Sequence, residues 1–118
     1  MSATWYEEFY AGLDAMDVST FDRFCTDDTT VTFANHPTDV GREAAKASIS
    51  HFWSLIGGMR HTFTRFIEDG DAAVLEAICT YTRKDGTTVD IPVATAIDRK
   101  DGRIAAQRIY IDLQPLFA

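Results

Sequence analysis

Three Asp-Gly pairs, spaced 16 residues apart, constrain the fold of this chain more than any other feature. They stand at 69–70, 85–86 and 101–102. Each lies between runs in which apolar and polar residues alternate, and Asp-Gly between such runs is a strong signal for a tight β-hairpin turn. The second half of the chain is therefore predicted to form a four-stranded antiparallel meander, with strands at roughly 59–68, 72–84, 87–98 and 103–113. Strands of this length are expected to curl rather than to lie flat.

The first half of the chain has helical patterns instead. Thr4-Trp5-Tyr6-Glu7 matches a capping box, and apolar residues follow it at helical spacing, which predicts a first helix. Ser19 can cap a short second helix, residues 29–33 read as a β-branched strand, and a third helix is predicted from near Gly41 to Gly57. Helices followed by a curled antiparallel sheet predict an α+β cone, in which three N-terminal helices pack on the concave face of the sheet.

Size and charge exclude several classes of function. At 118 residues the chain is predicted to form one domain, residues 1–118, and its hydrophobic fraction of 46% is typical of a globular protein. A formal net charge of −7 disfavours binding to nucleic acid and to anionic membranes, because both select basic surfaces. We recognise no signal peptide, membrane span, metal-binding spacing or cofactor motif, and we expect the two cysteines to be reduced. These features predict a cytoplasmic protein without a metal or cofactor.

The hairpin turns also predict which side chains face the interior of the cone. If Asp85-Gly86 is a two-residue turn, Glu76 and Ile78 share the inner face with Ile91 and Val93 of the next strand. The same reasoning at Asp69-Gly70, together with a three-residue turn at Lys100-Asp101-Gly102, brings more residues inward: His61, Phe63, Arg65, Ile67, Thr95, Gln107, Ile109 and Ile111. A polar row that includes Glu76, Thr95 and Gln107 is then expected to cross an apolar face.

Glu76 is the predicted catalytic residue of this inner face. Desolvation among Phe63, Ile78 and Val93 would suit its carboxylate to general acid or base chemistry, and His61 could relay the proton or hold the carboxylate in place. The same residues also fit an alternative, in which Glu76, Arg65 and His61 form a satisfied ion-pair cluster in a solid core. The ligand-binding residues predicted around them are Asn35, Trp53, Phe63, Arg65, Ile78, Ile91, Thr95, Gln107, Ile109 and Ile111.

Two other histidines are expected outside this polar row. His36, followed by a proline, is placed at the mouth of the cone, and His51 is expected to lie in solvent beside the apolar stripe of the third helix.

The predicted outer face of the sheet points to self-association. It would carry many small or apolar residues together with Tyr81, Arg108, Tyr110 and Asp112, which is too apolar for a face left to water. A second copy of the same sheet is the simplest cover, so a homodimer through this face is predicted.

The order of elements, α-α-β-α-β-β-β-β, resembles the nuclear transport factor 2-like superfamily and most closely its SnoaL-like branch. Gly41-Arg42-Glu43 at the start of the third helix and Asp101-Gly102-Arg103-Ile104 at the last strand are similar to the motifs of that branch. The resemblance covers essentially the whole chain and implies a cone open between helices and sheet, in proteins that pair by the outer face. Its members include ketosteroid isomerases, limonene epoxide hydrolases, polyketide cyclases and non-enzymatic binding modules.

The chain departs from the two best-known activities of that superfamily. After Thr30-Val31, where a ketosteroid isomerase has its aspartate base, this sequence has Thr32 and Phe33, and neither Val93 nor Thr95 supplies the oxyanion-hole acid. The positions of the epoxide hydrolase triad fall on Glu76, Ile78 and Ile109. The resemblance therefore implies an isomerase-like or cyclase-like protein without either set of catalytic residues.

Two functions remain open at this point. The first is binding of a small lipophilic molecule, with or without cofactor-free acid–base catalysis of the isomerase, cyclase or hydratase type. The alternative is a non-catalytic ligand-binding or dimerisation module whose cone is filled by its own aromatic side chains.

Overall fold

The computed structural model describes residues 4–118 and contains three α-helices and six β-strands. In chain order the elements are α1 (Trp5–Asp14), α2 (Thr20–Phe24), β1 (Cys25–Phe33), β2 (Asp39–Val40), α3 (Arg42–Trp53), β3 (Gly58–Asp69), β4 (Ala72–Thr82), β5 (Thr88–Lys100) and β6 (Arg103–Ile111), followed by a 3₁₀ helix at Gln114–Leu116. The predicted α+β architecture is confirmed, and the four meander strands fall within a few residues of their predicted bounds. The predicted capping box is wrong, because Thr4 makes no side-chain cap hydrogen bond. In the part of the chain that the structure describes, we find no helix whose length and apolar content would let it span a membrane.

The six strands form one open, mixed sheet in the order β2-β1-β6-β5-β4-β3. The meander from β3 to β6 is antiparallel as predicted, but β1 lies parallel to β6, with Val31 opposite Gln107 and Phe33 opposite Ile109. The parallel pairing of β1 with β6 was not predicted, because hairpin signals place only consecutive strands. β3 is an edge strand.

The turn between β4 and β5 has three residues rather than the predicted two. The Arg83 N–H donates to Thr87 O (2.7 Å), and the Gly86 N–H donates to Arg83 O (2.9 Å). Gly86 has φ of +89°, a left-handed conformation that glycine adopts without steric cost. The Asp85 carboxylate accepts from both the N–H and the hydroxyl of Thr87, which locks this turn.

This extra turn residue reverses the predicted faces of β4. Cys79 lies opposite Ile91 and Ala77 opposite Val93, so these residues share a face. Along β4 the residues alternate strictly in burial, with Leu75, Ala77, Cys79 and Tyr81 buried and Glu76 exposed. We call the side of the sheet that carries the buried set the inner face and the other side the outer face.

Helix side chains and the inner face form one buried cluster. The ring of Tyr10 in α1 lies against His61 and Phe63 of β3, with centroids 4.7 and 5.1 Å away. Phe52 in α3 contacts Tyr81 of β4 edge-on, at 5.8 Å between centroids. The largest fully buried members of the cluster include Phe9 and two isoleucines, Ile97 and Ile104. The core therefore fills much of the space between helices and sheet.

Gly12 brings α1 and α2 into close contact, and replacing it tests their packing. Alanine in a helix interior is ordinarily more stable than glycine by up to about 1 kcal/mol. Here a Cβ on Gly12 would overlap the hydroxyl oxygen of Thr20 and lie 2.7 Å from its Cγ2, and Thr20 is fully buried. We expect Gly12→Ala to lower the free energy of unfolding by about 1–3 kcal/mol through overpacking. Urea denaturation followed by circular dichroism measures the loss, and most of it should disappear in a Thr20→Ala background. A stabilised Gly12→Ala variant would contradict this packing.

Candidate functional site

A pocket of about 610 Å³ opens at one end of the cone. It is bounded by the end of β1, the loop that follows it, α3 and the C-terminal segment. The residues that line it are Phe33, His36, Pro37, Asp39, Ala47, Ser48, His51, Phe52, Leu55, Leu113 and Phe117. We call it the open-end pocket.

Aromatic rings form the apolar wall of the open-end pocket. Phe52 contacts Phe33 edge-on at 5.1 Å between centroids and Phe117 at 6.4 Å. The imidazole of His36 lies nearly parallel to Phe33, at 6.3 Å and an angle of 14°. Leu113 and Leu55 complete this wall, and Phe117 and Leu55 are 56% and 47% exposed. Such exposed apolar side chains around a concavity are typical of a surface that receives a ligand.

Polar groups in the same pocket come from the loop after β1 and from α3. Ser48 donates its hydroxyl to Asp39 Oδ1 at 2.9 Å, which ties β2 to α3. His51 lies in the last turn of α3, one helical turn after Ser48, and its side chain is exposed. His36 lies at the open end as predicted, and its ring is also exposed. The open-end pocket thus combines an aromatic wall with two imidazoles and one carboxylate.

A second polar site, inside the cone, pairs His61 with a carboxylate that the sequence did not predict. Asp14, the last residue of α1, accepts the His61 backbone N–H at Oδ2 (2.8 Å) and the His61 Nδ1–H at Oδ1 (2.7 Å). The side chain of His61 is 9% exposed and that of Asp14 is 21% exposed. Because β3 is an edge strand, this N–H has no partner in the sheet, and Asp14 satisfies it.

Hydroxyl and thiol groups deeper in the cone remain protonated. Burial raises the pKa of the Tyr10 phenol far above its ordinary value, although a side-chain hydrogen bond with Thr95 opposes the shift. Burial also raises the pKa of the Cys79 thiol to about 11, so this thiol is not a nucleophile near neutral pH. Trp53 Nε1 and Gln107 Nε2 are buried without a hydrogen-bond partner among the described residues.

The predicted catalytic position of Glu76 is wrong. Its side chain is 53% exposed and lies on the outer face, where Arg65 Nε is 3.8 Å from its Oε1. Arg65 and Ile78, which were also predicted to line the interior, accompany it there. The three-residue turn moved Glu76 and Ile78 outward, and Arg65 and Ile67, which lie opposite Glu76 and Val74, face outward with them. The desolvation on which a catalytic role for Glu76 depended is therefore absent.

The other predicted site residues lie on the inner face or beside the open end, but they do not line the open-end pocket. Trp53, Ile91, Thr95 and Gln107 are buried in the core, whereas Phe63, Ile109 and Ile111 are partly buried against it. Asn35 is exposed in the turn after β1, next to His36. Their role in ligand binding stays a prediction. The pocket residues Asp39 and Ser48 were missed, because a single polar residue before a helix or on an exposed helix position carries no signal of a site.

The sequence from residue 6 to residue 107 matches the SnoaL-like domain family. No functionally curated protein matches it. Among solved structures, TerC co-crystallised with polyporic acid has a TM-score of 0.84 at 22% identity, covering 96% of this chain and 92% of that one. A protein of ketosteroid isomerase-like fold from Catenulispora acidiphila, in complex with trimethylamine, has a TM-score of 0.85 at 20% identity (96% and 88% covered). A limonene epoxide hydrolase-like enzyme from M. tuberculosis has a TM-score of 0.79 at 22% identity (96% and 84% covered). At these identities the three structures establish the fold and not the activity.

The Asp14–His61 pair predicts a measurable loss of stability on mutation. Asp14→Ala removes both acceptors, which should lower the free energy of unfolding by about 1–2 kcal/mol, since the freed groups are only partly exposed. Asp14→Asn keeps one acceptor and should lose less. Glu8→Ala removes the same charge from an exposed position of α1 and serves as the control in urea titrations. Equal stability of the Asp14→Ala and Glu8→Ala variants would contradict the role of the pair.

Proposed function

This chain is a member of the SnoaL-like domain family, and we propose that it binds a small, largely apolar molecule in the open-end pocket. The observation that carries the proposal is a concavity of about 610 Å³ with an aromatic wall and a few convergent polar groups. Sites for small molecules are typically of about 300–1,000 Å³ and are lined in this way. The crystallisation of the similarly folded TerC with polyporic acid supports a ligand-binding role for this fold.

Acid–base chemistry on the bound molecule would use the imidazoles of this pocket rather than Glu76. Imidazole is the most frequent general acid or base in enzymes, and both His36 and His51 line the space where the molecule would lie. The alternative, a binding module without catalysis, is favoured by a different observation. Tyr10, His61, Phe63 and Tyr81 pack against one another or against helix side chains, so the chain's own rings occupy the interior of the cone. Ligand binding in the open-end pocket is common to both functions.

We also propose that two copies pair through the outer face of the sheet. Pro92, Ala94 and Ala96 alternate along β5 on this face, and Tyr110 beside them is 60% exposed. A shallow depression of about 390 Å³ lies between Glu76, Ile78, Ala94 and Tyr110. Arg108, 2.9 Å from Asp98, and Asp112 belong to the proposed interface, whereas the predicted participation of Tyr81 is wrong because that residue is buried on the inner face. Charges of both signs occur on the face, so a two-fold contact of this surface with itself can pair opposite charges.

A bulky side chain in the open-end pocket tests the binding proposal. Ala47 and Ala44 are both exposed on α3, but only Ala47 lines the pocket. Ala47→Phe should fill part of the cavity and lower the affinity for an apolar fluorescent probe, such as N-phenylnaphthylamine, by about tenfold or more. The Ala44→Phe protein should bind the probe with the affinity of the wild type. Fluorescence titration gives the dissociation constants. Equal probe binding by the two variants would place the ligand elsewhere.

A charge at the centre of the outer face tests the proposed dimer. We expect the wild type to have twice the chain mass in light scattering coupled to size-exclusion chromatography. Ala94→Arg should give a folded monomer, because a buried unpaired charge at such an interface costs several kcal/mol. Ala44→Arg, on the exposed side of α3, is the control and should stay dimeric. A monomeric wild type refutes this interface.

A further inference from the structure

We infer that the molecule bound in the open-end pocket is an organic anion, with an apolar ring body and an acidic oxygen such as that of a carboxylic acid, phenol or enol. This inference rests on the proposed function, since it names the class of ligand for the same pocket. It is carried by the positions of His36 and His51 and by what the other polar groups of the pocket already bind.

The two imidazoles are the hydrogen-bonding groups that this pocket offers to a ligand. Neither ring makes a hydrogen bond to any residue between 4 and 118, although both line the pocket. An imidazolium presents two N–H donors and a positive charge, and a neutral imidazole still presents one donor. An oxygen with lone pairs, and best of all an anionic one, is the complementary group.

Few of the elements around the pocket place a charged side chain near the two imidazoles. Of the described residues that line the pocket, Asp39 of β2 is the one carboxylate, and its Oδ1 already accepts the Ser48 hydroxyl at 2.9 Å. The end of β1 contributes Phe33, and the C-terminal segment contributes Leu113 and Phe117, all without charge. Asp39 thus has a partner within the wall, whereas the imidazoles do not.

The aromatic wall determines where the rest of the ligand lies. Phe52 meets Phe33 and Phe117 edge-on, and all three rings line the pocket beside the imidazoles. A flat ring body would stack there with its acidic oxygen directed at His36 and His51.

The overall charge of the protein makes these two residues decisive for an anion. The chain has a formal net charge of −7, so an anion approaches against the overall field. The attraction that holds it must then be local, and the imidazoles are the ionisable cationic groups in the pocket lining. A ligand without charge would gain nothing from their protonation.

Two fluorescent probes with the same ring body test the inference. Anilinonaphthalene sulfonate carries an anionic group, and N-phenylnaphthylamine is the same body without it. We expect the wild type to bind the sulfonate more tightly, and the His36→Gln/His51→Gln double variant to lose about tenfold in affinity for the sulfonate only, because glutamine keeps hydrogen bonding but cannot become cationic.

The outcomes separate this inference from the proposed function. If both probes bind and Ala47→Phe excludes both, but the double variant leaves their affinity ratio unchanged, the pocket binds ligands and the anion inference is overturned. If neither probe binds, or if Ala47→Phe affects neither, the proposed function fails and the inference fails with it. Circular dichroism of each variant confirms that the comparison is made on folded protein.

Discussion

The three-residue turn between β4 and β5 decides which side chains this protein buries. Its geometry depends on Gly86 in the left-handed region and on the Asp85 carboxylate, which accepts two hydrogen bonds from Thr87. A turn shorter by one residue would shift the pairing and send the buried residues of β4 to the opposite side of the sheet. Leu75, Cys79 and Tyr81 are at most 2% exposed, so the core could not form in that register. The turn and the packing therefore specify the same arrangement, as consistent sequences do.

The sequence predicted the elements of this fold far better than the faces of its strands. Asp-Gly marks a hairpin reliably, but glycine with positive φ serves two-residue and three-residue turns alike, so the pair does not give the length of the turn. At Asp101-Gly102 the predicted turn was too long rather than too short. Three residues were predicted, but the turn has two, enclosed by the pair Lys100 and Arg103. His61 and Phe63 were placed inward correctly, because the bulge at Thr64 shifts their pairing with β4 by one residue and so cancels the reversal of the faces of β4. The bulge has no signal in the local sequence, since Phe63-Thr64-Arg65 contains no glycine.

The position of β3 at the edge of the sheet explains the most polar contact in the core. An edge strand leaves every second N–H without a partner, and a protein must cover it or leave it to water. Here the end of α1 covers it, since the Asp14 carboxylate binds both the backbone and the ring of His61. No sequence pattern links residues 14 and 61, which are far apart along the chain. The pair was therefore beyond prediction: His61 was a predicted site residue, whereas nothing in the sequence singled out Asp14.

The filling of the interior explains why the candidate ligand site lies at the open end. Between α1 and the sheet, the ring centroids of Tyr10, His61 and Phe63 lie within 6 Å of one another. The phenol of Tyr10 is also hydrogen-bonded to the side chain of Thr95. A molecule could reach that depth only by displacing packed rings, which costs both apolar contact and hydrogen bonds. At the open end Phe33 and Phe52 close the core on one side and present an apolar wall on the other. The polar groups that face that wall come from a loop and from the end of a helix, elements that can change without disturbing the core. In this protein the sheet and helices thus provide a solid support, and the proposed ligand binding depends on the few side chains at its open end.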